Sequence, residues 1–168
     1  VNPSLLGFGC MRFPKKEDGT IDEAEAERMI DHAIANGVTY IDTAYPYHDG
    51  ASEPFVGKVL KKYDRKSFYL ATKLPMFKIE SLEEAKEIFE EQMKRLDVDY
   101  VDFYLLHALN KTQWQKVLDL GILPYVEELK KEGRIKNLGF SFHDDYEVFE
   151  EIVNYRDWDF CQIQLNYL

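Results

Sequence analysis

Strand-like runs that each close on one polar residue, separated by helical patterns, restrict the architectures open to this 168-residue chain. Val38 to Ile41 runs into Asp42, Phe68 to Thr72 into Lys73, Val101 to Leu106 into His107, and Ile135 to Phe140 into Ser141. Short runs of this kind, rich in β-branched and aromatic residues, read as buried strands. The four polar residues lie roughly 30–35 positions apart, about one βα unit each. Leu5 to Cys10 reads as a strand ahead of them and Phe160 to Leu165 as one behind, so about six βα units are present.

The helices between the strands are marked at both ends. Asp22 with Glu25 can cap the first, whose Ala26, Met29, Ile30, Ala33 and Ile34 recur at helical period until Asn36-Gly37 stops it. Ser52 to about Lys62 is expected to be a second helix. Ser81 with Glu84 opens a third, with Ala85, Ile88, Phe89, Met93 and Leu96 inward. After the strand that ends at His107, the segment with Asn110 and Trp114 reads as a loop, leading to a helix that begins near Pro124 and stops at Gly133. A last helix is expected from Asp144 or Asp145 to about Tyr155.

Strict alternation of strand and helix implies a parallel sheet with right-handed crossovers. A doubly wound open sheet and a (β/α)8 barrel both satisfy it, and both gather functional groups at the carboxyl ends of strands. The first βα turn separates them. Gly7-Phe8-Gly9-Cys10-Met11-Arg12 lacks the third glycine of a dinucleotide-binding turn and is parted from its helix by the polar patch Pro14 to Gly19. The expected fold is therefore α/β, a (β/α)8 TIM-type barrel in one domain over residues 1–168. A complete barrel takes ~250 residues, so the barrel is incomplete, with its C-terminal part missing, and its open edges predict self-association. The chain does not begin with Met, which suggests a trimmed piece.

A formal net charge of −10 excludes partners recognised by basic clusters, namely nucleic acid and anionic membrane surfaces. No apolar stretch is long enough to span a bilayer. Cys10 and Cys161 form no Cys-x-x-Cys pair, which argues against a structural metal within this chain and for a reducing, cytoplasmic setting.

Asp42, Tyr47, Lys73 and His107 would then share one rim. A free tyrosine has a pKa of ~10, but an ammonium beside a phenol favours the phenolate, and a carboxylate beside that ammonium keeps it charged and in place. Such a phenol is suited to proton transfer at a carbonyl oxygen, with His107 orienting the same oxygen through a hydrogen bond. The rim has no nucleophile, so the electron pair must come from elsewhere, and hydride from a nicotinamide is the natural source.

The stretch Gly37 to Tyr47, with Ser52-Glu53 and Gly57 after it, resembles the signature of aldo-keto reductases, as do Ala71-Thr72-Lys73 and Tyr104-Leu105-Leu106-His107. The resemblance implies a (β/α)8 barrel, interconversion of a small aldehyde or ketone with its alcohol using NADP(H) or NAD(H), no metal, and catalytic roles for Asp42, Tyr47, Lys73 and His107. Gly139-Phe140-Ser141 and Cys161-Gln162-Ile163-Gln164-Leu165-Asn166 are similar to that family's nicotinamide-carboxamide contacts, which would fall on Ser141 and Gln162. The usual Asn after that Ser is replaced by Phe142-His143. The wording Gly7 to Pro14 and Gly139 to His143 resembles a bacterial and archaeal branch that carries an iron-sulfur region C-terminal to the barrel, so an iron-sulfur cluster is implied only if such a region exists.

Each residue also has a plainer reading. Asp42 could form a turn, Lys73 could be a solvated loop lysine, and His107 could be a satisfied core histidine. His48 and His143 read as loop histidines, and Met76, Phe77 and Trp114 as loop residues able to line a substrate wall. Two other functional classes compete with the reductase. One is a metal-dependent hydrolase using His48, His107, His143 and Asp42 as ligands, without the usual ligand spacing. The other is a non-catalytic binding module that associates through its open barrel edge.

Overall fold

The computed structural model describes residues 1–165. Its strands are β1 (Gly7–Gly9), β2 (Tyr40–Asp42), β3 (Tyr69–Leu74), β4 (Val101–Leu109), β5 (Ile135–Phe142) and β6 (Phe160–Ile163). The helices are α1 (Glu23–Ala35), α2 (Ser52–Leu60), α3 (Leu82–Leu96), α4 (Lys111–Asp119), α5 (Ile122–Lys131) and α6 (Tyr146–Tyr155). All neighbouring strands pair in parallel, in the sequential order β1 to β6.

The sheet curls. Phe103 of β4 has its ring centroid 5.1 Å from that of Tyr40 on β2 and 5.0 Å from that of Phe160 on β6. Rings from strands four places apart meet around one side chain only if the sheet bends into a barrel wall. The fold is thus an incomplete (β/α)8 barrel of six strands, as the sequence pattern predicts. Its small inner core is Ala71, Phe103 and Leu105 with Tyr40, Tyr69 and Phe160 against them. The larger core lies outside the sheet, where Ile41, Leu70, Tyr104, Leu106 and Leu138 meet the helices.

Strand side chains alternate between faces, which decides what the barrel mouth contains. On β2, β3 and β4 the inner positions Tyr40, Tyr69, Ala71, Phe103 and Leu105 continue to Asp42, Lys73 and His107. On β5 and β6 they continue to Ser141 and Gln162, which are register partners.

Three strands run further than their apolar residues. Lys73, His107 and Ser141 lie inside β3, β4 and β5 rather than after them; in β3 and β5 the ladder continues because Lys73 and Ser141 are buried and hydrogen-bonded. β4 also changes register between Leu106 and Leu109. β1 and β6 are shorter than expected. The segment Lys111 to Asp119, expected to be loop, is the helix α4. Asn110 caps it by accepting from the Gln113 N–H at 2.8 Å, and Trp114 and Val117 are buried on its inner side. The caps read from sequence at Asp22 and Ser81 form, on Glu25 and Glu84.

Gly57 lets α2 cross the end of α3, since a Cβ there would stand 2.5 Å from the Leu96 carbonyl oxygen. Among the described residues, no helix is long and apolar enough to cross a membrane.

Candidate active site

β2 ends on Asp42, and the Thr43 N–H still bonds the Ala71 carbonyl, so the chain leaves the sheet in a fixed direction. Thr43 and Ser52 hydroxyls pair at 2.9 Å, tying the loop to the start of α2. The loop then makes a tight turn over Tyr47–Gly50, with His48 and Asp49 both in the left-handed region at φ 52 and 55. Tyr47 is thereby carried back over the barrel mouth.

Lys73 lies at the centre. Only 2% exposed, it donates to Asp42 Oδ2 at 2.8 Å, to the Thr43 carbonyl at 2.8 Å and to the Tyr47 hydroxyl oxygen at 3.2 Å. An ammonium has three N–H donors, and each has one acceptor. The nitrogen also stands 4.8 Å from the centroid of the Tyr47 ring. Burial pushes the Asp42 carboxyl above its usual range while the Lys73 ammonium opposes that rise. Asp42 Oδ1 is buried without a partner.

His107 stands edge-on to Tyr47, centroids 6.0 Å apart, and Phe77 packs against its ring at 5.6 Å. Burial first, then Lys73 and His143, lower its pKa to about 3. The ring is therefore neutral, with one N–H to donate. Its Nδ1 is buried without a partner. The residue that follows, Ala108, is held at φ 53, and its N–H bonds Ser141 Oγ at 2.7 Å. Ser141 thus braces the bend beside His107, and its own O–H donates to no group among the described residues. Gln162 is exposed on β6 beside it; Asn166 lies outside the described residues.

The structure therefore brings Asp42, Tyr47, Lys73 and His107 into one cluster, and sets Ser141 and Gln162 side by side on the same inner face. It does not gather a metal-ligand set. His48 turns away, accepting from the Phe13 N–H at 3.1 Å and stacking on the Phe13 ring, while His143 is exposed. Among the described residues no group of three His, Cys, Asp or Glu could hold a metal ion. Cys10 is fully buried and its thiol is pushed well above its usual range by that burial, so it is no nucleophile.

Of the residues expected to form an apolar wall, only Phe77 lies exposed at the mouth. Met76 is fully buried. Trp114 packs into α4 against Tyr155 and Trp158 and donates to Glu151.

A set of side chains behind Lys73 escaped sequence reasoning. Gln92, Tyr104 and Arg95 join Glu53 and Thr72 in buried hydrogen bonds. One signal was available: Gln92 falls on the inward stripe of α3 between Phe89 and Leu96, where a polar residue needs a buried partner.

The profile of the "Aldo/keto reductase family" matches residues 5–168. The chain is 36% identical over 149 residues to "Probable aldo-keto reductase 1" of Glycine max, covering 82% of this chain and 41% of that protein. An aldo-keto reductase from Bacillus halodurans in its holo form superposes with a TM-score of 0.80 at 33% identity, over 98% of this chain and 54% of that one. One from Klebsiella pneumoniae, solved in complex with NADPH, gives a TM-score of 0.68 at 26% identity, over 86% and 47% of the two chains. The chain spans about half the length of these relatives.

Proposed function

The chain belongs to the aldo/keto reductase family, and we propose that it carries the proton-transfer half of an NAD(P)H-dependent oxidoreductase acting on small aldehydes and ketones, with Tyr47 as the acid. One observation carries this reading: the Tyr47 oxygen accepts a hydrogen bond from a buried ammonium whose other donors are held by Asp42 and Thr43.

In the reducing direction the Tyr47 O–H gives its proton to the substrate oxygen as that oxygen gains charge. The phenolate left behind faces the Lys73 ammonium, which stabilises it without moving. Asp42 and the Thr43 carbonyl, each accepting from Lys73, hold the ammonium in place beside the phenol. Neutral His107 donates a hydrogen bond to the same oxygen and orients the carbonyl, and Phe77 excludes water on its flank. In the oxidising direction the phenolate takes the proton back.

The nicotinamide cofactor, when bound, supplies the hydride received by the carbonyl carbon. The residues present fit one end of it. The Ser141 hydroxyl and the exposed Gln162 amide would hold its carboxamide. The sequence similarity to the iron-sulfur branch supports placing the protein there, and a run of cysteines encoded further along the gene would test that placement.

NADPH oxidation followed with a panel of small aldehydes and ketones tests the assignment. Tyr47→Phe should lower kcat/KM by about 10²–10⁴. Unchanged turnover would remove Tyr47 as the acid. The exposed residues of β6 support a second reading, in which the chain acts by pairing through this edge; a monomer at all concentrations in sizing chromatography would refute it.

A further inference from the structure

Glu53, Thr72, Gln92 and Tyr104 are fully buried polar residues outside the barrel wall, on the far side of β3 from the mouth. Their bonds form a closed set. Glu53 Oε1 accepts from the Thr72 hydroxyl at 2.6 Å and from the Gln92 amide at 2.7 Å. That amide also reaches the Lys73 carbonyl at 3.0 Å, and the Gln92 Oε1 accepts from the Tyr104 hydroxyl at 2.7 Å. The other Glu53 oxygen accepts from Arg95 Nη1 at 3.4 Å, and the same nitrogen reaches the Tyr45 carbonyl at 3.4 Å. The Arg95 guanidinium lies 4.1 Å from the centroid of the Tyr45 ring, and Glu91 accepts from both Arg95 and the Tyr45 hydroxyl at 2.7 Å.

Apolar side chains of the same volume would fill this space with no desolvation to overcome. What hydrogen bonds add is direction, fixing each partner to within tenths of an ångström. The partners here are the main chain at Lys73 and the main chain at Tyr45, two residues before Tyr47. We propose that Glu53, with Gln92 as its link, is a positioning residue that ties the end of β3 to the β2–α2 loop and so sets the separation of Lys73 Nζ and the Tyr47 hydroxyl.

This rests on the reading of Tyr47 as the acid, and it assigns a task to a carboxylate that touches neither substrate nor cofactor. Proton transfer depends steeply on such a separation: a misplacement of about 1 Å costs on the order of 10²-fold in rate. Substrate binding does not involve the network, so its loss should appear in kcat and not in KM.

Three variants and two readouts test the proposal. Glu53→Gln keeps the acceptor for Thr72 and Gln92 but turns an N–H2 toward Arg95 and cuts the tie to the Tyr45 carbonyl, so its kcat should fall about threefold to tenfold; Glu53→Leu cuts both ties and should lose about tenfold or more, with KM for the carbonyl unchanged. Gln92→Met matches the volume of glutamine and breaks the link without opening a cavity, so it decides the matter if Glu53→Leu fails to fold. The second readout needs no turnover. The stability coupling between Tyr47→Phe and Lys73→Met, measured by urea unfolding as a double-mutant cycle, should fall by half or more in the Gln92→Met background. A purely structural network would lower the stability of every member of the cycle and leave the coupling as it was. Unchanged coupling overturns the proposal whatever kcat does, and so does an unchanged kcat in Gln92→Met when the parent turns over. A parent with no turnover refutes the reductase reading instead and leaves the coupling to judge this one.

Discussion

Replacing Lys73 by Met removes the cation at the centre of the site and leaves everything around it in place. Lys73 is 2% exposed and Asp42 8%, with 2.8 Å between Nζ and Oδ2. At an effective dielectric of about 20, two charges at that distance attract by ~6 kcal/mol. Taking the two ions out of water costs several kcal/mol each, so the intact pair stands near balance. Lys73→Met keeps the desolvation of Asp42 and deletes what offsets it. The loss should be about 3 kcal/mol near neutral pH, at the lower end for breaking a buried pair because Asp42 can protonate. That escape gives the loss a pH dependence. Burial already raises the folded-state pKa of Asp42, and without Lys73 it rises further. Below the unfolded-state value, 3.8, Asp42 is neutral folded and unfolded, and its charge is not at issue. As pH climbs through the folded-state value the carboxylate must be buried charged, and stability is lost. Urea unfolding of parent and variant should therefore show a deficit that shrinks by more than half between about pH 7.5 and about pH 4. Lys73→Met combined with Asp42→Asn should recover most of the neutral-pH loss. An equal deficit at both pH values, with no recovery in the double variant, would refute the view that Lys73 is needed to neutralise a buried Asp42.

Two further outcomes follow from the geometry. His107, with its pKa lowered to about 3 from an ordinary 6.5, should show imidazole NMR shifts that are flat down to about pH 5; its folded-state pKa is depressed, so the stability it contributes is present above 6.5 and drains away as pH falls toward 3, and a midpoint near 6.5 would contradict its burial. Gly57→Ala puts a methyl 2.5 Å from the Leu96 carbonyl oxygen, a main-chain atom that cannot swing aside, and should destabilise the fold by about 1–3 kcal/mol in thermal unfolding, whereas an unchanged Tm would mean that α2 and α3 are not held this close.

The barrel and its mouth were legible because two periods coincide in the chain. Helical stripes and caps place the crossovers, and the period of two along β2, β3 and β4 carries the inner face from Tyr40, Tyr69 and Phe103 outward to Asp42, Lys73 and His107. A run of apolar residues was a poorer guide to where strands stop. It ends at Lys73 because lysine is charged, yet β3 goes on to Leu74 because this lysine has three acceptors and behaves as an interior residue. The same error placed Ser141 after its strand, when its hydroxyl is engaged by the Ala108 N–H inside the ladder. Helix α4 was hidden for the opposite reason, as only Trp114, Val117 and Leu118 of its nine residues are apolar and an Asn ahead of a polar Lys-Thr-Gln run fits a loop as well as a cap.

The network behind Lys73 marks where reading along the chain reaches its limit. Gln92 bonds Glu53 and Thr72 across separations of 39 and 20 residues, and no local pattern connects positions so far apart. What the sequence does hold is a polar residue on a stripe that should be apolar. Such a residue is either a defect or one half of a buried bond, and burial without a partner is too costly for the first. A glutamine on the inner face of α3 thus requires a polar group on whatever α3 covers, and α3 covers the strand that carries Thr72-Lys73. The inference runs from one misplaced amide to the element that carries the ammonium, and it depends on the barrel having been recognised beforehand, because only the crossover topology says which strand lies beneath which helix.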